Sequence, residues 1–339
     1  MTPRRYLSAV AAGVAALVLA GCGADPGALS APEFYRDRAI DLVVPYEPGG
    51  GYDLYARDVV PYLARCIGGD VKVVNEAGAG GLLATSNTAA AEPDGTRVQI
   101  VNTVGAVSAQ IGQAAGINFD LAALSWVARV SAEANVVVVA ADSRFADFDD
   151  MLRSPDPVRF VSTGPGSNDY INPPLLQQIF DFPVEVISGF AGSGEARTAY
   201  LRGDADAQVL PVASTVSAIR SGEIRPVLVL GDADSPGLEG VPRARDLPVA
   251  GAAQRETLTS LLDLVSLSRT MVAPPGLAPD RLAFLRDAFA CALTNPDLVA
   301  ASTEQRRPIE FMPGAELTEA MRSVLSADPA FRQIVRDIT

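Results

Sequence analysis

The sequence has no histidine, and Lys72 is its only lysine. Without histidine, Ser–His–Asp and Cys–His catalysis and histidine-ligated metal sites are excluded within this chain. The sequence Gly-Lys-Ser/Thr does not occur, so a Walker-type phosphate loop is excluded as well. No cofactor or metal is therefore expected.

Positive charge is also scarce, because 27 basic residues face 40 acidic ones and the net charge is −13. This balance disfavours binding to nucleic acid, and also disfavours electrostatic binding to an anionic lipid surface. It does not exclude a small anionic ligand, because backbone N–H groups bind anions without a basic surface.

The first residues predict an export signal. Arg4 and Arg5 form a basic start, an uncharged apolar stretch follows over 6–20, and Leu19-Ala20-Gly21-Cys22 ends it. The stretch is short for a membrane span. The ending resembles a bacterial lipobox, which implies removal of residues 1–21, lipidation of Cys22 and a tether over 22–37. The alternatives are an ordinary signal peptide or a short anchor helix. Arg4-Arg5 leaves Sec and twin-arginine export open.

Two cysteines remain, Cys66 and Cys291. In an exported protein such a pair predicts one disulfide. Two buried free thiols are the alternative, since spacing in the sequence does not show proximity.

A repeated unit of strand, glycine turn and helix organises the rest of the chain. The first copy passes from the apolar run 40–44 through Gly49-Gly50-Gly51 to a helix that Asp53 would cap. The second leads from 71–74 into the turn that contains Ala79, Gly80 and Gly81. Such turns direct backbone N–H groups and a helix N-terminus at one point, which suits an anion. Their alternative role is simply to turn the chain.

Two more copies follow residue 134. One passes through Gly164 and Gly166, and the other through Gly192 and Gly194. Alternating strands and helices predict an α/β fold with a mostly parallel sheet in each of two lobes. We expect lobe 1 to comprise 38–134 plus 231–339 and lobe 2 to comprise 135–230, with the ligand between them.

Polar and aromatic side chains at the strand ends are candidate ligand contacts. The polar ones are Thr103, Ser162, Ser167 and Asn168, which suit the orientation of a small polar ligand. Tyr46 and Phe190 adjoin glycine turns, and a place in the core is their alternative. Asp53 and Asp206 are either helix caps or contacts to an amine or hydroxyl of the ligand. In a less favoured hypothesis they are the acids of an exported hydrolase.

Three motifs carry a family resemblance. Val44-Pro-Tyr-Glu-Pro-Gly-Gly-Gly-Tyr-Asp53, Val73-Val-Asn-Glu-Ala-Gly-Ala-Gly-Gly81 and Pro93-Asp-Gly-Thr96 resemble the solute receptors of tripartite tricarboxylate transporters, the Bug-type proteins. Looser matches follow at 162–167, 189–206 and 272–279. In two places the sequence departs from the family pattern: 168–170 lacks a histidine often found there, and Gly189-Phe-Ala-Gly192 replaces Pro-Tyr-Lys-Gly.

The resemblance implies a periplasmic-binding-protein-like fold of the Venus flytrap, type II-like kind. It implies capture of a small organic acid, often a di- or tricarboxylate, and its delivery to integral-membrane transporter subunits. Together with the lipobox, this predicts a lipid-anchored extracytoplasmic receptor, which we expect to be a monomer. The implied ligand contacts are Gly50, Gly51, Ala79 and Gly80, bordered by Tyr46 and Asp53, and in lobe 2 Ser162, Gly164, Gly166 and Ser167. A ligand sensor that feeds a membrane signalling protein is the alternative.

Overall fold

The computed structural model describes residues 29–232, 237–326 and 329–338. The predicted signal peptide over 1–21 and the predicted lipidation site Cys22 lie outside these residues. Two β-sheets with helices packed on them form the body of the protein. We call the part that carries the first sheet lobe 1 and the part that carries the second sheet lobe 2.

The sheet of lobe 1 has six strands in the order β11-β4-β10-β3-β1-β2. The strands are β1 (Ile40–Val44), β2 (Val71–Asn75), β3 (Arg97–Asn102), β4 (Ser125–Ser131), β10 (Arg269–Ala273) and β11 (Met312–Pro313). β1 pairs in parallel with β2 and β3, whereas β10 and β11 pair antiparallel to their neighbours. The parallel strands β1, β2 and β3 all end at one edge, which is where the first two glycine turns begin.

The sheet of lobe 2 has five strands in the order β7-β6-β8-β5-β9. The strands are β5 (Asn135–Ala140), β6 (Val158–Ser162), β7 (Val184–Ser188), β8 (Ala207–Pro211) and β9 (Ile224–Leu230). β6 is parallel to β7 and β8, and β5 is antiparallel to β8 and β9. Both sheets are therefore mixed. The two-lobed α/β class is confirmed, and the antiparallel strands are the long-range pairs that local patterns did not reveal.

Thirteen α-helices cover the two sheets within the described residues. They are α1 (Ala31–Arg36), α2 (Gly51–Ile67), α3 (Leu82–Ala90), α4 (Thr103–Gly112), α5 (Phe148–Leu152), α6 (Asn168–Phe180), α7 (Ser193–Leu201), α8 (Val216–Arg220), α9 (Ala252–Leu267), α10 (Pro279–Leu293), α11 (Pro296–Glu304), α12 (Gly314–Leu325) and α13 (Pro329–Ile338). Short 3₁₀ turns occupy Ala79–Gly81, Val212–Ser214 and Ala244–Asp246.

Several helix boundaries differ from the sequence prediction. α2 begins at Gly51 with Gly50 as its N-cap residue, so Asp53 lies in the first turn and is not the cap. α1 falls within the predicted tether over 22–37, yet its Phe34 and Tyr35 are buried. These aromatic side chains bury enough apolar surface to order the segment. Neither α4 nor α9 was predicted from the sequence.

A disulfide joins the two sequence-distant helices that back the lobe 1 sheet. Cys66 in α2 and Cys291 in α10 are bonded, with Cα atoms 6.1 Å apart and a sequence separation of 225. The adjacent core contains Leu63, Phe289 and Ala292, all fully buried. α2, whose N-terminus forms part of the site, is thereby fixed at its other end.

Candidate functional site

A cavity of about 800 Å³ opens between the two lobes. Four segments supply most of its wall: 46–52 from lobe 1, and 167–169, 191–195 and 213–218 from lobe 2. The turns that precede α2, α6, α7 and α8 therefore meet around one space. Strand ends and helix starts are the regions of an α/β fold where polar backbone groups remain available to a ligand.

The N-terminus of α2 forms one wall of this cavity. Gly49, Gly50 and Gly51 line it, and Gly49 has φ +88°, a conformation that favours glycine. No side chain caps the first turn at Gly50. The free N–H groups and the positive end of the helix dipole together make this wall attractive to an anion.

Asp53 supports the turn from behind. Its carboxylate accepts hydrogen bonds from the Gly49 N–H at 2.9 Å, from Arg57 at 2.8 Å and from Asn75 at 3.1 Å. Burial raises the pKa of Asp53, but these three donors outweigh it, so its pKa lies below the ordinary value. Asp53 is 2% exposed and lies outside the cavity lining. The structure thus gives it a role in holding the turn.

The N-terminus of α7 lies opposite that of α2. A Cβ atom built on Gly50 would lie 3.7 Å from Ser193 Oγ, and one built on Gly192 would lie 3.6 Å from the Glu47 Cβ. No side chain caps α7 at Gly192 either. Two helix N-termini, one from each lobe, therefore converge on the cavity, and both follow glycine turns that the sequence had indicated.

Two tyrosines form the cavity floor. Tyr46 donates from its hydroxyl to the Gly80 carbonyl oxygen at 2.9 Å and accepts from Asn102 at 2.8 Å. The Tyr52 ring lies 4.9 Å from that of Tyr46, and the buried Tyr52 hydroxyl has no hydrogen-bond partner. Burial raises the pKa of both phenols, that of Tyr52 to about 12. Both therefore stay protonated at neutral pH, and Tyr52 retains an unused donor.

The second glycine turn does not line the cavity. Its Ala79 carbonyl oxygen accepts from the Gly166 N–H at 3.2 Å. A Cβ on Gly80 would lie 2.5 Å from the Gly164 carbonyl oxygen, and Gly80 has φ +68°. The turn containing Ala79, Gly80 and Gly81 therefore packs against the lobe 2 turn containing Gly164 and Gly166.

The lobe 2 turn is held by a network around Asp169. The Asp169 Oδ1 accepts from the Thr163 N–H at 3.1 Å, from the Thr163 hydroxyl at 3.2 Å and from the Ser167 hydroxyl. Ser162 Oγ accepts from the Gly164 N–H at 3.0 Å. Thr163, Ser167 and Asp169 line the cavity, whereas Ser162 lies behind it. Asp169 was not among the predicted site residues.

Of the remaining predicted ligand contacts, some line the cavity and others do not. Asn168 lines the cavity and donates to Asn135 Oδ1 at 3.1 Å. Thr103 is fully buried and exchanges a hydrogen bond with Thr270 at 2.9 Å, outside the lining. Phe190 packs against the core of lobe 2. The fourteen predicted ligand contacts therefore fall into two sets. The cavity lining includes Tyr46, Gly50, Gly51, Ser167 and Asn168. It does not include Asp53, Ala79, Gly80, Gly81, Thr103, Ser162, Gly164, Gly166 or Phe190.

A buried ion pair behind the α2 turn is a feature that the sequence did not indicate. Arg269 is fully buried and pairs with Glu133. It also donates to Ser214 Oγ at 3.2 Å, and its guanidinium lies 4.6 Å from the Tyr52 ring centre. Ser214 lines the cavity beside Gly51, where an added Cβ would overlap Ser214 Oγ. This arrangement depends on contacts between distant parts of the chain, so no local motif predicts it.

The two acids of the hydrolase hypothesis do not form a pair. Asp53 is bound to Arg57 in lobe 1, whereas Asp206 is bound to Arg144 at 3.3 Å and to Arg159 at 3.1 Å in lobe 2. Neither carboxylate lines the cavity. Two acids that share a site are required for acid–base catalysis of that kind, and this arrangement does not provide them.

The fold and the cavity define a two-lobed solute-binding protein. The family model described as tripartite tricarboxylate transporter family receptor matches residues 55–309. The chain belongs to this family, whose members are extracytoplasmic substrate-binding receptors, and the resemblance drawn from the sequence motifs is confirmed.

A curated relative agrees with this assignment, and solved structures share the fold. BugT of Bordetella pertussis (strain Tohama I) is 27% identical over 221 residues, which cover 63% of this chain and 67% of BugT. MatC from Rhodopseudomonas palustris, solved with bound malate, has a TM-score of 0.71 at 22% identity and covers 88% of this chain and 99% of its own. Another R. palustris protein, solved with adipate, has a TM-score of 0.71 at 18% identity. The match covers 88% of this chain and 97% of that protein.

Proposed function

We propose that this protein captures a small organic carboxylate in the cavity between its lobes and releases it unchanged. The observation that carries this proposal is the convergence of the α2 and α7 N-termini on one cavity. Neither Gly50 nor Gly192 has a capping side chain, so the first-turn N–H groups of the two helices are available to carboxylate oxygens. Malate in MatC and adipate in its R. palustris neighbour fit this ligand class.

The first contacts in this proposal are the backbone of Gly50 and Gly51, with Ser193 and Ser214 beside them. Tyr46, Ser167 and Asn168 border the same space. The turn at 79–81 and the turn at 164–166 act indirectly, because their contact holds the lobes together at the cavity edge. The lobe boundaries proposed from the sequence, 38–134 plus 231–339 and 135–230, place the two sheets in different lobes.

The biological setting is also a proposal. The chain is exported, loses residues 1–21 and is anchored through a lipid on Cys22, outside the cytoplasmic membrane. Among the residues with assigned structure, no helix is long and apolar enough to cross a membrane. The loaded monomer then delivers its acid to the integral-membrane subunits of a tripartite tricarboxylate-type transporter. The family membership supports this role.

Isothermal titration calorimetry of the chain without residues 1–22 tests the function. Titration with succinate, malate, adipate and citrate is expected to show saturable binding of at least one acid, and the acid is recovered unchanged by chromatography. Glucose serves as the neutral comparison. Failure of every acid, or chemical conversion of a bound acid, contradicts the proposal.

A variant locates the binding event. Gly51→Ala places a Cβ against Ser214 Oγ at the α2 N-terminus and is expected to weaken acid binding at least about tenfold. Gly251→Ala is the control, since Gly251 also lies at a helix N-terminus, as the N-cap of α9, but outside the cavity lining. Thermal unfolding of both variants separates loss of binding from loss of folding. Equal affinity in both places the acid elsewhere.

A further inference from the structure

We infer that the cavity contains a subsite for an ammonium group, with the Asp169 carboxylate as its anionic partner. The ligand is accordingly an amino acid or amino diacid, whose carboxylate lies at the helix N-termini and whose amine lies at Asp169. This inference rests on the proposed function and narrows it from organic acids in general to acids that carry a positive group.

The Asp169 carboxylate is built as a fixed acceptor at the cavity wall. It is 1% exposed and lines the cavity at the start of α6. Its Oδ1 receives three hydrogen bonds from Thr163 and Ser167, whereas Oδ2 receives one, from Gln208 at 2.9 Å. A carboxylate offers about four acceptor positions over its two oxygens. Because a single donor reaches Oδ2, this oxygen retains capacity for a donor from the ligand.

No basic side chain compensates Asp169 within the described residues. The charges of Arg269 and Asp169 both influence the pKa values of Tyr46 and Tyr52. Arg269, however, is already paired with Glu133. The other donors to Asp169 are neutral. A buried carboxylate without a cation is costly, and burial correspondingly raises the pKa of Asp169. A ligand ammonium would supply the missing charge and remove this cost.

Neighbouring polar atoms favour the same ligand chemistry. The Asn168 Oδ1 atom is buried without a hydrogen-bond partner, and Asn168 lines the cavity next to Asp169. The Tyr52 hydroxyl is also unpartnered and can accept through its oxygen. An ammonium group carries three donors and no acceptor. An ammonium group beside Asp169 is therefore the kind of donor that these two unpartnered oxygens lack.

The charges around the whole cavity do not suit a ligand of high negative charge. Five carboxylate side chains and four guanidinium side chains line it. One of these guanidinium groups, Arg307, is already paired with Asp58. A site for a polyanion would be expected to carry an excess of basic groups. The observed balance, with helix N-termini at one place and Asp169 at another, is complementary to a zwitterion.

Paired ligands test the subsite by calorimetry on the chain without residues 1–22. Each pair differs by one amine: succinate and aspartate, adipate and 2-aminoadipate, butyrate and 4-aminobutyrate. We expect the aminated member of at least one pair to bind at least about tenfold more tightly than its partner, as one desolvated charge pair would provide.

The variant Asp169→Asn removes the charge and keeps the shape. Its Oδ1 can still accept from Thr163 and Ser167. Its new Nδ2 can donate to Gln208 Oε1, which is buried and unpartnered, once the Gln208 amide turns over. We expect this variant to lose the preference for the amine while binding of the plain acid is retained or improved. Asp206→Asn is the matched control, because Asp206 is a buried carboxylate outside the cavity lining.

The possible outcomes separate the two proposals. Binding of plain acids with no gain from the amine overturns the ammonium subsite and leaves carboxylate capture intact. An amine preference that survives in a folded Asp169→Asn variant also overturns the subsite, since Asp169 would then not be its partner. If no acid of either kind binds to the unmodified chain, both proposals fail. Circular dichroism melts confirm that each variant is folded.

Discussion

The backbone N–H of Gly166 donates to the carbonyl oxygen of Ala79 over 3.2 Å, and this bond joins a glycine turn of lobe 1 to a glycine turn of lobe 2. Each turn was predicted to contact the ligand. In the structure they contact each other, and the cavity is lined by the neighbouring turns at 49–51 and 191–195. The conformation described here is thus one in which the lobes touch beside the cavity.

Substitution of Gly80 tests whether this contact controls binding. Gly80 has φ +68°, and an added Cβ would lie 2.8 Å from the Gly166 nitrogen. We expect Gly80→Ala to lose about 1–2 kcal/mol of stability from the left-handed backbone and to weaken ligand binding further by separating the turns. Gly116→Ala is the control, because Gly116 has φ +84° with open space around it. Calorimetry and thermal melts measure both effects, and equal affinities would contradict the expectation.

The buried pair Arg269–Glu133 is expected to be costly to break from either side. Removing one partner leaves an uncompensated buried charge, so Glu133→Gln or Arg269→Met should each lower the free energy of unfolding by about 3–5 kcal/mol. The double variant should lose less than the sum. Urea unfolding of the two single variants and the double variant measures the coupling between the two residues. Additive losses would show that the pair is not coupled.

Glu319→Gln is the control. It breaks the exposed pair with Arg322 and should lower the free energy of unfolding by less than about 1 kcal/mol.

Reduction of the disulfide between Cys66 and Cys291 should destabilise the folded chain. The bridge closes a loop across 225 residues and ties α2 to α10. Loss of the bridge raises the conformational entropy of the unfolded chain. We therefore expect a decrease of about 2–5 kcal/mol in the free energy of unfolding. Thermal melts of the chain without residues 1–22, with and without reductant, measure the change. The double variant Cys66→Ala, Cys291→Ala should be insensitive to reductant, and a shift in that variant would point to another cause.

Low pH should destabilise the turn before α2, because it protonates Asp53. The pKa of Asp53 in the folded protein lies below its ordinary value of 3.8, despite burial, because Arg57, Gly49 and Asn75 bind the ionised form. The unfolded chain therefore takes up the proton first as pH falls. The stabilisation is present above about pH 4 and is lost as pH falls through the folded pKa. The stability deficit of Asp53→Asn at pH 7 should accordingly shrink in melts below pH 4. A deficit that is independent of pH contradicts this assignment.

The sequence by itself determined the repeated strand–turn–helix units and, through its motifs, the family. β-branched runs such as Asn135–Ala140 form buried strands because their side chains pack on both faces of a sheet. Glycine turns such as 49–51 occur where the backbone needs positive φ before a helix. Both signals are local, so they can be read from neighbouring residues. The pair Asp53–Arg57 was predictable for the same reason, since residues four apart lie together on a helix.

The tertiary structure alone decided which turns line the cavity. Gly50 and Gly80 look alike in the sequence, yet Gly50 lines the cavity close to Ser193, whereas Gly80 packs against Gly164. Arg269 pairs with Glu133, which lies in a distant part of the chain. Asp169 lines the cavity and has no basic side chain as its partner among the described residues. These relationships depend on how two lobes and antiparallel strands from far along the chain come together. Such contacts leave no periodicity or local motif, so side-chain type and spacing do not reveal them.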